Sequence, residues 1–398
     1  MTQSDSTHHV RAAGYYHFLD ERQRDTLSCA ILRHRPSLWR VAIHLLSHCS
    51  LACEYCRVNR FPNALVQLIG QSTWLHRMTS RYEASPALHQ LLGQALDLGA
   101  RHVHLTGGEP TLIDDLPQLV LRCSEAGTST SLVTSGASPN TSTGTYCNSL
   151  VHAGLGAVSV SLDSPDPITS DRMTRVSGAH AATVECIRRL VAAGSTRRPH
   201  PLRVYLQMVV TRHTLRDLPG ALTFAATLGV DDVKLLLVKG VPSDWLTPDD
   251  ISWFRSTIAT EALAIANAHG FEMVADDIGV LLMDDSMGAL VREGRYYRPY
   301  SGPCYLSLSE LTVACNGDVY PCVYHMWDST SCAGPNIIAK PLKVILATRT
   351  PPSGTHPICA KGCTRRIVDS NRCIDAAIAH NGIDGLGWVL GEGSAKPY

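Results

Sequence analysis

From Trp39 onward, short apolar runs of period two take turns with longer runs of helical spacing. WRVAIHLL reads as a strand that ends at a group of cysteines. ASPALHQLLGQALDLG has helical spacing and stops at Gly99, and RHVHLT is a strand running into Gly107 and Gly108. The alternation continues with a helix in DDLPQLVLRCSEAG, a strand in TSLVTSG and a helix in NTSTGTYCNSLVHAG, opened by cap-like Ser and Thr. GAVSVSLDS is a strand, AHAATVECIRRLVAAG a helix, LRVYLQMVVT a strand, LPGALTFAATLG a helix and DDVKLLLV a strand. Six strands with five intervening helices between Trp39 and Val238 predict a parallel sheet with right-handed crossovers. The fold class expected is therefore α/β: a partial (β/α)6 TIM-like barrel, short of the eight units of a full one.

The pattern changes on either side. Residues 1–36 are polar and read as an N-terminal extension, and 37–240 as the barrel. Residues 241–293 form a linker region in which TPDDISWFRSTIATEALAIANAHG predicts one long capped helix. Residues 294–398 are rich in Cys, Gly, Pro and Tyr with few periodic segments, so this last domain needs a staple other than an apolar core. Of the 398 residues 44% are apolar, enough for a substantial core. Lys plus Arg and Asp plus Glu both number 35, a balance that argues against a nucleic-acid partner and against a polybasic membrane contact. The polar start lacks the apolar run of a secretion signal, and no stretch approaches a membrane span. The expected location is the cytoplasm.

There are 14 cysteines. The cytosol disfavours disulfides, so so many thiols point to metal ligation. Cys49, Cys53 and Cys56 form a C-x3-C-x2-C loop, and seven more lie from Cys304 to Cys373. Three thiolates on one loop hold three irons of a cubane cluster and leave the fourth open to another ligand. The alternative is zinc, with His44 or His48 as a fourth ligand. In open α/β barrels ligands bind at the carboxyl ends of the strands. Cys49, Gly107-Gly108-Glu109, Ser135-Gly136, Ser161, Asp163 and Thr211 all fall there, which argues for one shared site.

The cysteine loop, with Tyr55 before its last cysteine, and LTGGEP at the end of the next strand together resemble the radical S-adenosylmethionine superfamily from about Trp39 to Val238. The resemblance implies that Cys49, Cys53 and Cys56 ligate a [4Fe-4S] cluster whose open iron is chelated by S-adenosylmethionine. It implies that Gly107, Gly108 and Glu109 meet the methionine amino group, and that Tyr55 lies beside the adenine. Ser135 and Ser161 would reach the ribose or carboxylate, and Arg175, with Arg172 as rival, would pair with the carboxylate. One electron from a donor such as flavodoxin or ferredoxin would release a 5′-deoxyadenosyl radical that abstracts hydrogen from an unactivated carbon.

The second cysteine group resembles the SPASM and twitch extensions of that superfamily. Cys304 and Cys322, with Gly317 in an expected hairpin turn between them, match their opening; Cys359, Cys363 and Cys373, in C-x3-C-x9-C, depart from their C-x2-C close. Cys304, Cys322, Cys359 and Cys363 complete one auxiliary iron–sulfur cluster on this reading, while Cys315, Cys332 and Cys373 hold part of a second or are spare. Zinc is the alternative here too. Cys123, Cys147 and Cys186 fall in helical patterns and read as small core residues. The reaction expected is C–H modification of a natural product, small molecule or peptide, with oxidation assisted by the auxiliary cluster. The 36 residues before the barrel are short for a leader-binding domain, so a peptide maturase would work with a separate leader-binding protein. Other readings are a molybdenum-cofactor-type cyclase, against which the arginine-free end GLGWVLGEGSAKPY speaks, and a non-catalytic zinc-stapled binding module.

Overall fold

The computed structural model describes residues 38–56, 82–197, 201–237, 246–275, 310–327 and 334–348, with positions 278, 302, 304, 305 and 307. The 1–36 extension and Cys29, Cys332, Cys359, Cys363 and Cys373 lie outside the described residues. The chain divides into two compact units, Ile43–Gln90 with Val103–Gly294, and Met1–Ala42 with Leu91–His102 and Arg295–Tyr398.

The first unit is the α/β barrel half, a partial (β/α)6 barrel. Its strands are β1 (Arg40–His44, shared with the second unit), β2 (His102–Thr106), β3 (Ser129–Thr134), β4 (Ala157–Ser161), β5 (Arg203–Val210) and β6 (Asp232–Leu237), side by side in sequence order. From β3 to β6 the pairing is parallel, with Val133 opposite Ser159, Ser161 opposite Gln207 and Gln207 opposite Lys234. The crossovers are α1 (Pro86–Asp97), α2 (Leu116–Glu125), α3 (Gly144–His152), α4 (Pro167–Thr174), α5 (Ala179–Thr196) and α6 (Leu218–Leu228).

Alternation along the strands separates two faces. Val103, Leu105, Leu132, Val158, Val160, Leu206 and Met208 are buried, as a helix-covered face requires. The other face mixes polar residues with Val133, Val209 and Leu236. His104 shares a 2.8 Å hydrogen bond with Ser131, and Lys234 donates to Ser159 at 3.1 Å while lying 4.4 Å over the Tyr205 ring.

Helix α4 is an addition to the predicted pattern. It has one buried residue, Ser170, and hence no apolar stripe for periodicity to find. What forms it is its start: Asp166 accepts from the Thr169 N–H at 2.8 Å and Pro167 takes the first turn. The long helix expected after Pro242 is instead two, α7 (Pro248–Thr257) and α8 (Ala259–Ala268). The predicted capping box is present, with Thr247 and Asp250 bonding each other's backbone N–H. The break falls at Ile258, at φ −123°, where Thr257 and Ile258 set two β-branched residues side by side.

In the second unit, β7 (Glu310–Val313) lies beside β1 and pairs antiparallel with β8 (Val319–Tyr320). The turn between them closes with Ala314 donating to the Asp318 carbonyl, and Gly317 sits in it at φ +88°, where a hairpin was expected. Asn336 donates to Asp318 at 2.9 Å and to the Asn316 carbonyl at 2.9 Å, tying a second loop to the turn. Helices α9 (Val323–Trp327) and α10 (Leu342–Thr348) follow. Among the described residues no helix is long and apolar enough to cross a membrane.

Candidate active site at the strand ends

The cysteine loop is built by its neighbours. Beyond β1 the chain stays alongside the end of β2: Leu45 donates to the Thr106 carbonyl at 2.7 Å, Gly108 to Leu46 at 2.6 Å and Glu109 to His48 at 2.8 Å. This approach is what requires the glycine pair. A Cβ on Gly107, at φ +135°, would stand 2.8 Å from the Leu46 oxygen, and one on Gly108 would stand 1.8 Å from the His48 oxygen. The loop is held from a second side by Ala52, which donates to the Thr174 carbonyl at 3.0 Å, and from a third by Tyr55, whose hydroxyl donates to Asp163. Cys56 closes a turn onto the Cys53 carbonyl at 3.2 Å, and the Leu51 N–H donates to the Cys49 sulfur at 3.4 Å.

Cys49, Cys53 and Cys56 are free, half-buried thiols. Burial pushes the Cys49 thiol up, and Glu109, Cys53 and Cys56 push it further. Burial, then Asp163 and Cys56, push Cys53 up to about 12. Thiols so close to one another and to carboxylates ionise only with a cation among them, and metal binding supplies that charge while releasing the protons. Among the described residues no three His, Cys, Asp or Glu side chains close around a single ion. Burial holds the His44 imidazole down at about 4 and therefore neutral.

Glu109 has 0% exposure and faces inward. One oxygen accepts from the Thr111 N–H at 3.0 Å, the Thr111 hydroxyl and the Thr134 hydroxyl at 2.6 Å; the other accepts from the Ser135 N–H and hydroxyl, both at 2.6 Å. The carboxylate expected at a ligand's ammonium is thus saturated by the chain, and it pins the end of β2 to the end of β3. Ser135 is committed to the same network. Ser161 is half-buried at the end of β4. Arg175, at φ 57° after α4, pairs with Glu54 of the cysteine loop at 2.6 Å, so the partner it has is a protein carboxylate. Arg172 is exposed.

Asp163, at the end of β4, is 4% exposed and its partners lie on other elements. It accepts from Tyr55 and, at 2.8 Å, from the Val209 N–H, joining the cysteine loop to β4 and β5. Burial raises its carboxyl to about 6 against both hydrogen bonds. Its strand-end position was the one available signal. Cys123, Cys147 and Cys186 are fully buried in the helical layer, as core residues are. In the second unit, Cys304 and Cys322 are half-buried and Cys315 is buried beside the β7–β8 turn.

A parallel α/β half-barrel with a three-thiol loop locked to a glycine pair defines a class. Residues 43–225 match the family described as the radical SAM superfamily. That stretch carries a radical SAM domain, and the relatives indicate an enzyme. Its similar relatives include the PqqA peptide cyclase of Xanthomonas campestris pv. campestris, 24% identical over 289 residues, with 72% of this chain and 68% of the relative covered. The PqqA peptide cyclase of Ruegeria pomeroyi is 28% identical over the same coverage. Among solved structures, Streptococcus suis SuiB bound to precursor peptide SuiA has a TM-score of 0.55 at 15% identity, covering 85% of this chain and 70% of that one. The anSMEcpe structure with bound AdoMet and Cp18Cys peptide has a TM-score of 0.54 at 14% identity, covering 89% and 100%. These two likenesses are of fold.

Proposed function

We propose that this enzyme is a peptide maturase: it cleaves S-adenosylmethionine reductively and uses the resulting radical on a carbon of a ribosomally made peptide. The observation behind it is the loop of three half-buried thiols locked to Gly107–Glu109 at the strand ends. The relatives named as peptide cyclases, and the folds of SuiB and anSMEcpe, whose structures hold peptides, favour a peptide over a small molecule. The same relatives favour this reading over the molybdenum-cofactor cyclase and the zinc module.

When bound, the [4Fe-4S] cluster and S-adenosylmethionine supply one-electron cleavage and a carbon radical. Cys49, Cys53 and Cys56 hold the cluster. Gly107 and Gly108 keep the loop against β2, and Glu109 fixes that turn. Tyr55, oriented by Asp163, sets the loop's outer wall for the adenine. Ser161 is the strand-end hydroxyl left to reach the nucleoside, with Ser135 holding its floor through Glu109. Arg175 serves the ligand carboxylate by exchanging Glu54 for it. An electron donor of the flavodoxin or ferredoxin kind feeds the cluster. Residues 294–398 form the SPASM/twitch-like domain on this reading, with Cys304, Cys322, Cys359 and Cys363 holding an auxiliary cluster.

The test is anaerobic reconstitution with iron and sulfide, then reduction in the presence of S-adenosylmethionine. The unsubstituted chain releases 5′-deoxyadenosine and Cys53→Ala releases none. Co-expression with the short open reading frames beside its gene yields a peptide of altered mass; Cys363→Ala keeps the cleavage and loses that product. No 5′-deoxyadenosine from the unsubstituted chain overturns the reading.

A further inference from the structure

The residue after the first cysteine is Ser50, and it is 4% exposed. Its hydroxyl is buried and has no hydrogen-bond partner among the described residues. Native structures leave few buried hydroxyls unpartnered, and each such group calls for an acceptor. Other orphaned groups among the described residues, the Trp39 indole nitrogen just before β1, the Thr130 hydroxyl on β3 and a His180 ring nitrogen on α5, sit in or beside the barrel's own strands and helices. Ser50 differs in its place. It stands between Cys49 and Leu51, whose N–H already donates to the Cys49 sulfur. The loop is fastened on both sides of it, at His48 to Glu109 and at Ala52 to Thr174, so the hydroxyl cannot swing out to solvent without undoing those bonds.

An iron–sulfur cluster bound by this loop places anionic sulfur next to Ser50. Hydrogen bonds to such sulfurs offset negative charge, favour the reduced form and are among the factors that set the potential. We propose that Ser50 donates its hydroxyl proton to the sulfur shell of the cluster held by Cys49, Cys53 and Cys56, and so raises the cluster's reduction potential. Ser50 is a positioning residue for the electron rather than a group that touches the reacting carbon. The inference rests on the cluster reading above.

The experiment uses the full chain, reconstituted anaerobically and titrated potentiometrically without S-adenosylmethionine. In Ser50→Ala the ratio of reduced to oxidised cluster at a fixed potential falls about tenfold, a negative shift of ~59 mV for one electron. Ser50→Thr, which keeps the hydroxyl, restores the midpoint. After exchange into deuterated water, the reduced unsubstituted cluster shows one more strongly coupled deuteron than Ser50→Ala. Equal iron content in the three proteins separates this from a folding defect, and the deuteron count reads the bond directly. An unshifted midpoint in Ser50→Ala, or an unchanged deuteron count, overturns the proposal and leaves the cluster reading standing. No iron–sulfur absorption in the unsubstituted chain overturns both.

Discussion

At the scale of the residue, Gly108 decides whether the cysteine loop exists. The nearest atom to a Cβ there is the His48 carbonyl oxygen, at 1.8 Å, and it is backbone, so no rotamer change relieves the clash. Gly108→Ala must push residues 46–48 away from 107–109, breaking the bonds to Leu46 and His48. The expected cost is about 1–3 kcal/mol, as for other overpacked sites, with iron content falling alongside the melting temperature. Gly99→Ala is the control. It has a positive φ, at +81°, and nothing lies within 4 Å of its Cβ, so it loses stability through its backbone and retains iron. The glycine pair and the three cysteines were legible in the sequence because they are contiguous motifs. The Glu109 network was not: its partners Thr134 and Ser135 stand 25 and 26 residues away, and only the β2–β3 neighbourhood brings them in. Asp163 and Tyr55 are 108 residues apart, and the Arg175–Glu54 pair 121. A charged side chain's partner is a property of the fold, so a role assigned by motif says nothing of which carboxylate it already holds.

At the scale of the element, β1 is fastened to β7 by Arg40, which donates to Glu310 at 2.8 Å. The arginine side chain is 22% exposed and the glutamate 8%. Removing one member of a pair this buried is costly. Arg40→Met therefore destabilises the chain by on the order of 3 kcal/mol, whereas Arg40→Met with Glu310→Leu recovers most of that loss. Urea midpoints of the two variants check it; a double variant no more stable than the single one contradicts it. All six barrel strands and their five crossovers were legible, because each buries an apolar face whose period shows in the residues. Helix α4 was not, since an eight-residue helix with one buried side chain leaves no period to read. The break at Ile258 was hidden for the opposite reason: the apolar pattern runs on through it while the backbone does not.

At the scale of the whole molecule, two buried groups of opposite sense bear on acid stability. His44 has its pKa lowered from 6.5 to about 4 by burial, so the unfolded chain binds the extra proton as pH falls through that window. Its contribution to stability is complete above 6.5 and is lost on the way down to about 4. Asp163 runs the other way. Its pKa is raised from 3.8 to about 6, so the folded chain holds the extra proton in between. Its contribution is complete below 3.8 and is lost as pH rises to about 6. Each is worth on the order of 3 kcal/mol at ~1.4 kcal/mol per pKa unit. The two slopes offset each other where they overlap, so between pH 4.5 and 5.5 these two groups together are expected to move the urea midpoint of the metal-free chain little. Removing one group exposes the other. His44→Gln leaves Asp163 in charge, and the midpoint rises toward acid. Asp163→Asn leaves His44, and the midpoint falls toward acid. Both variants are read against the unsubstituted chain at pH 4.5, 5.5 and 7. Parallel profiles for all three would mean that neither burial reaches the folding equilibrium, and that acid sensitivity comes from the cysteine loop instead.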